Sequence, residues 1–172
     1  MFWLLLLKAL YFFLPAYCAN MAPTLFKWIP LGNKPIYEKK LGSHKTWRGL
    51  IAGTIFGGII FALQKYLYQQ GLTPWSLIDY NGFSLLLGLL MGFGALAGDI
   101  VKSYYKRKAG IPVGVKWIPW DQMDFAIGGL IFTWFVWVPP AEVALIILVI
   151  SPFLHIIVNH IGYWLKIRKE KW

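Results

Sequence analysis

Acidic residues are the scarcest chemistry in this chain: 7 Asp and Glu stand against 17 Lys and Arg in 172 residues. Cysteine is rarer still. Cys18 is the single thiol, which excludes an intramolecular disulfide and a cysteine-based metal site, and its apolar neighbours suit a buried thiol. No long polar stretch exists either. The longest runs from 23 to 47, too short for an attached soluble domain. The first apolar run lacks a basic n-region and carries Lys8 in its interior, so it reads as a retained helix rather than a cleaved leader.

What fills the chain is apolar. Hydrophobic residues make up 58% of it, with runs at 2–20, 50–67, 83–98, 125–138 and 141–165. A membrane-spanning helix needs about 20 mostly apolar residues. Backbone polar groups in lipid must be bonded within the segment, so these runs read as helices and not as open strands. Extended into their flanks, they predict an all-α polytopic membrane protein. It is a single domain, 1–172, with five helices at about 2–20, 47–67, 83–107, 121–138 and 141–166.

The basic residues are placed asymmetrically. Lys27, Lys34, Lys39, Lys40, Lys45 and Arg48 precede the second helix. Lys102, Lys106, Arg107, Lys108 and Lys116 lie between the third and fourth. Lys166, Arg168, Lys169 and Lys171 form the tail. Five helices put all three groups on one side, and the positive-inside rule makes that side cytoplasmic, with the N-terminus outside. Topology and attraction to anionic lipid account for most of these charges. Tryptophan and tyrosine at the run ends fit an interfacial belt. Gly49, Gly53 and Gly57, and likewise Gly88 with Gly92 and Gly94 with Gly98, have the four-residue spacing of close helix packing.

Three acidic residues stand where such a protein tolerates them least. Asp99 ends one apolar run, and Asp121 and Asp124 open the next. Asp99, Lys102, Ser103, Lys106 and Arg107 fall at i, i+3, i+4, i+7 and i+8, one face of a helix. A salt-bridge ladder would explain this stripe at only tenths of a kcal/mol per pair. Asp121 reads as an N-cap with Asp124 three residues later. Carboxylates at that spacing share a face and can hold one Mg²⁺, which takes one or two carboxylates plus phosphates and waters. In Gly42-Ser43-His44-Lys45-Thr46-Trp47-Arg48-Gly49, Thr46 is placed to cap the second helix and leave its free N–H groups for phosphate. Lys45 and the planar fork of Arg48 add charge there. His44 reads as an exposed loop histidine. His155 and His160 lack metal-motif spacing and read as bonded inside the bundle.

Three segments together resemble the integral-membrane cytidylyltransferases that make CDP-activated lipids, and most closely their archaeal, CDP-archaeol synthase branch. They are Gly42 to Gly49 as quoted, Gly98-Asp99-Ile100-Val101-Lys102-Ser103-Tyr104-Tyr105-Lys106-Arg107, and Pro119-Trp120-Asp121-Gln122-Met123-Asp124. Where the phosphatidate branch has Lys-Asp and Gly-Gly, this chain has Pro112-Val113 and Pro119-Trp120. The resemblance implies transfer of a cytidylyl group from CTP to an isoprenoid glycerol-ether phosphate (2,3-di-O-geranylgeranylglyceryl phosphate), releasing pyrophosphate. It implies Mg²⁺ on Asp99, Asp121 and Asp124. Lys106 would act with them in catalysis, and Lys45, Thr46, Arg48, Lys102, Ser103, Lys106 and Arg107 would meet phosphates. CTP, this lipid and the membrane are the implied partners; nucleic acid is not, and a homo-oligomer is compatible. The rival readings are a CTP-dependent polyprenol or phytol kinase, a small transporter and a lipid-binding scaffold.

Overall fold

The computed structural model describes residues 2–30 and 32–167. Arg168, Lys169 and Lys171 of the basic tail lie outside these. Every regular element among the described residues is helical, with no strand beyond the isolated bridge Pro35–Thr46. In chain order the helices are α1 (Phe2–Phe12), α2 (Leu14–Leu25), α3 (Glu38–Leu41), α4 (Trp47–Gln69), α5 (Leu86–Lys108), α6 (Trp120–Thr133) and α7 (Ala141–Trp164). A 3₁₀ turn, Tyr80–Gly82, sits between α4 and α5.

The run at 2–20 is not one helix. It bends by 47° between α1 and α2. Pro15 has no N–H, so the carbonyl of Tyr11, four residues earlier, loses its helical donor. Gln64 of α4, almost fully buried, donates its side-chain amide to that carbonyl. The bend is thus closed by a neighbouring helix, as a polar group in an apolar bundle requires.

α4, α5 and α7 are long and apolar enough to cross a bilayer, and the bent pair α1–α2 makes up to four such spans. The expected span at 121–138 is helical only over Trp120–Thr133, about 21 Å by helical rise. Turns follow at 134–136, and Pro139-Pro140 stand in the connection to α7.

α4 shows how the sequence divides its faces. Ile51, Ile55, Ile59 and Leu63, four apart, are half-exposed and form an apolar outer stripe, while Gly53, Gly57 and Phe61 are buried. α7 repeats the pattern with Leu145, Val149, Phe153 and Ile157 outward. Such stripes belong against lipid, not water.

α5 is the central helix, packed on α2, α4 and α6. Its glycines set the distances. A Cβ on Gly57 of α4 would lie 2.9 Å from the Gly88 carbonyl oxygen of α5. On the other face, a Cβ on Gly98 would lie 2.1 Å from the carbonyl oxygen of Asp124, and one on Gly128 would lie 2.2 Å from that of Gly94. α5 and α6 therefore touch backbone to backbone, in the small-residue manner of membrane helices. At the end of the bundle away from this contact, Tyr80 is fully buried against Tyr11, Phe61 and Tyr68.

Gly98→Ala should force α5 and α6 apart. The expected result is a loss of about 1–3 kcal/mol in stability from overpacking and about a hundredfold in turnover from displaced side chains, read by thermal unfolding in detergent and by initial rates. Gly82→Ala, whose added Cβ would meet no atom within 4 Å, is the control and should change neither.

Candidate active site

The ends of α2, α4, α5, α6 and α7 that carry the polar residues gather at one end of the bundle and enclose a cavity of about 650 Å³. The close α5–α6 contact places Asp99 directly beside Asp124, since Gly98 rests on the Asp124 carbonyl. From α5, Asp99, Lys102 and Lys106 face the cavity, and from α6, Asp121 and Asp124.

These five side chains and Lys45 form one ionic cluster. The Lys102 ammonium lies 3.3 Å from Asp99, 2.8 Å from Asp121 and 3.0 Å from Asp124. Lys106 grips both oxygens of Asp121, at 2.9 and 2.7 Å. Lys45 pairs with the other oxygen of Asp99. Three carboxylates face three ammonium groups, so the cluster is balanced, and Asp124, with its side chain 5% exposed, is its deepest member.

The donors suit a hard divalent ion: three carboxylates from two helices, with no thiol. Yet among the described residues no group of carboxylates, imidazoles or thiols stands in ligating arrangement. Lys102 lies where the three carboxylates converge.

Several expectations need correction. Asp121 does not cap α6: Pro119 holds that position. Instead the Asp121 carboxylate reaches back and accepts from the Trp117 N–H at 2.6 Å. Ser103 and Arg107 share the α5 stripe but do not line the cavity. Ser103 is buried and donates to the Asp99 carbonyl at 2.7 Å, a local bond common for serine in apolar helices. The Nε and Nη1 of Arg107 are buried with no partner among the described residues.

Thr46 does cap α4, accepting from Gly49 N–H at 3.2 Å. The helix does not, however, keep free N–H groups for phosphate. Trp47 N–H donates to Lys34 and Arg48 N–H to Gly32, because the 32–36 strap folds back on 45–48. That strap also points Lys45 inward: Ile36 N–H donates to the Lys45 carbonyl at 2.8 Å. Arg48 lines the cavity, but its Nη1 donates to the carbonyls of Lys27 and Ile29, tying the loop after α2 to α4.

Residues not singled out from sequence complete the wall: Asn20 and Thr24 of α2, Lys116, Gln122, and Asn159 of α7. His155, read as a bundle histidine, faces the cavity as well, with its Nδ1 3.4 Å from the Asn159 amide. The available signal was spacing: Ser151, His155 and Asn159 are four apart and put polar groups on one face of an otherwise apolar stretch.

An apolar groove of about 440 Å³ runs along α5 and α6 beside the cavity. Val101, Tyr105, Ile127, Ile131 and Phe132 line it, Trp117 and Trp120 stand at its polar end, and Lys102 and Asp124 line both spaces. A smaller one, of about 280 Å³, lies between α2 and α7 and meets the cavity at Asn20, Thr24, His155 and Asn159.

Arg48→Lys keeps the charge but loses the planar fork that holds two carbonyls. Tryptic cleavage after Lys27 in detergent should then quicken by about tenfold, as the loop opens more often. An unchanged rate would show that the loop after α2 is held by other bonds.

The model of the family described as "CarS-like: CDP-archaeol synthase" matches residues 2–172. The CDP-archaeol synthase of Methanospirillum hungatei is 36% identical, over 92% of this chain and 99% of its own. That of Thermococcus onnurineus is 37% identical over 97% of each. A solved structure, "Structural insight into an intramembrane enzyme for archaeal membrane lipids biosynthesis", aligns with a TM-score of 0.69 and 27% identity, covering 90% of this chain and 94% of its own. Apolar spans, cavity and relatives agree on a multi-pass membrane protein, and the chain belongs to the CDP-archaeol synthase family.

Proposed function

We propose that this chain transfers the cytidylyl group of CTP to an unsaturated archaeal ether-lipid phosphate, giving a CDP-lipid and pyrophosphate. One observation carries the reading: a polar cavity rich in lysines and an apolar groove share Lys102 and Asp124 as a common wall. A water-borne nucleotide and a bilayer-borne lipid need two such approaches meeting at one point. The names of the relatives supply the substrate class.

The lipid phosphate attacks the α-phosphorus of CTP in line. A bond forms from its oxygen, and the bond from the α-phosphorus to the bridging oxygen of pyrophosphate breaks. A phosphate monoester is already a competent nucleophile, so the protein need not supply a strong base; it supplies alignment and charge. Asp99, Asp121 and Asp124 would hold Mg²⁺. When bound, the ion would neutralise and orient the reacting phosphates. Lys106 and Lys45 would meet the triphosphate, and Arg48 and Thr46 would hold the wall behind it. The isoprenoid chains would lie along Val101, Ile127 and Ile131, with Trp117 and Trp120 at headgroup depth. We further propose that α6 and residues 134–138 complete a fifth crossing. The cavity then opens to the cytoplasm, on the side of Lys27, Lys45, Lys106 and Lys116, and the N-terminus lies outside.

The test uses purified protein in detergent with CTP, Mg²⁺ and three acceptors: geranylgeranylglyceryl ether phosphate, ester phosphatidate and a free polyprenol. Pyrophosphate with the ether lipid is the expected product, abolished by EDTA and by Asp124→Asn in folded protein. CDP from the alcohol would make the protein a kinase instead, and full activity in Asp124→Asn would remove the metal assignment. For the groove, Ile131→Trp should raise KM for the lipid about tenfold while leaving KM for CTP unchanged. Equal effects on both would move the lipid elsewhere.

A further inference from the structure

The ionic cluster holds a feature that the assignment of metal ligands leaves unexplained. The side chain that touches all three carboxylates is not a passive neighbour of the site but its occupant. Lys102 Nζ stands within 3.3 Å of an oxygen of Asp99, Asp121 and Asp124 at once, with its side chain 15% exposed. An ammonium has three N–H groups and one positive charge to offer, and here it donates to Asp121 and pairs by charge with Asp99 and Asp124. Lys45 and Lys106 balance the other two charges from the flanks.

Electrostatics then opposes a bare divalent ion. Adding two positive charges to a balanced, largely buried cluster leaves them uncompensated, which is costly away from water. A triphosphate changes the balance, because it brings negative charge that a displaced lysine can follow. Lys102 also lines the apolar groove, so its four-carbon stem lies between the two substrate spaces and its head can swing toward phosphate from either.

We infer that Lys102 is the resident counter-cation of the three carboxylates, and that a divalent ion takes its place only when nucleotide phosphates draw the ammonium away. Metal and nucleotide therefore bind as an obligate pair, and the enzyme holds no ion between turnovers. This rests on the proposed carboxylate ligands.

Mn²⁺ binding, followed by electron paramagnetic resonance on the full chain in detergent, tests it without turnover. The nucleotide probe is CTP with a methylene bridge between the α- and β-phosphorus. Wild-type protein should bind Mn²⁺ at least about tenfold more weakly without the probe than with it. Lys102→Met, and Lys102→Gln as a second uncharged variant, should bind Mn²⁺ alone at least about tenfold more tightly than wild type. Adding Asp121→Asn or Asp124→Asn to Lys102→Met should abolish that gain. Wild-type affinity that is the same with and without the probe overturns the inference, and this arm needs no variant to fold. Folded Lys102 variants that still require the probe also overturn it, while leaving the carboxylate ligands in place. A gain in Lys102→Met that survives both asparagine changes, or no Mn²⁺ bound by any form with the probe present, overturns the ligand assignment itself.

Discussion

The contact of α5 with α6 at Gly98 and Gly128 is the constraint on which the rest of the site depends. Asp99, Lys102 and Lys106 are carried by one helix, Asp121 and Asp124 by the other. Lysine reaches far, but carboxylates are short. They share one ammonium only because no side chain separates the two backbones. Charge then reinforces geometry: isolated carboxylates in this setting would be costly, and the three lysines make their burial tolerable.

Around this contact the bundle works with few polar parts. Gln64 serves the bend left by Pro15, Thr46 closes the start of α4, and Arg48 straps down the loop after α2. Each answers a specific unpaired backbone group. The polar cavity is accordingly confined to one end, and the opposite end is closed by aromatic packing around Tyr80.

Much of this was legible in the sequence, because apolar run length and helical spacing are properties of one segment at a time. The helices at α4, α5 and α7, the glycine spacing, the Thr46 cap and the joining of Asp99, Lys102 and Lys106 with Asp121 and Asp124 all follow from such patterns. What stayed hidden depends on neighbours. Ser103 and Arg107 share the 100° stripe with Lys102, yet the cavity takes only part of that arc. The N–H groups of α4 looked free because the strap that satisfies them comes from residues 32–34, a turn without periodic signal. The α1–α2 bend was masked by continuous hydrophobicity, which Pro15 interrupts without changing the average. His155 and Asn159 reach the site only because α7 folds back over it.

The bond between Gln64 and the Tyr11 carbonyl has a consequence for how the protein is made. α1 and α2 emerge from the ribosome before α4, so the bend at Pro15 enters the bilayer with that carbonyl unanswered. It gains its partner only when α4 has been inserted and has docked. The bend of the N-terminal segment therefore takes its final hydrogen bond from a helix translated later. The docking of α4 thus completes the segment 2–25 and ties its final shape to the helices that carry the site.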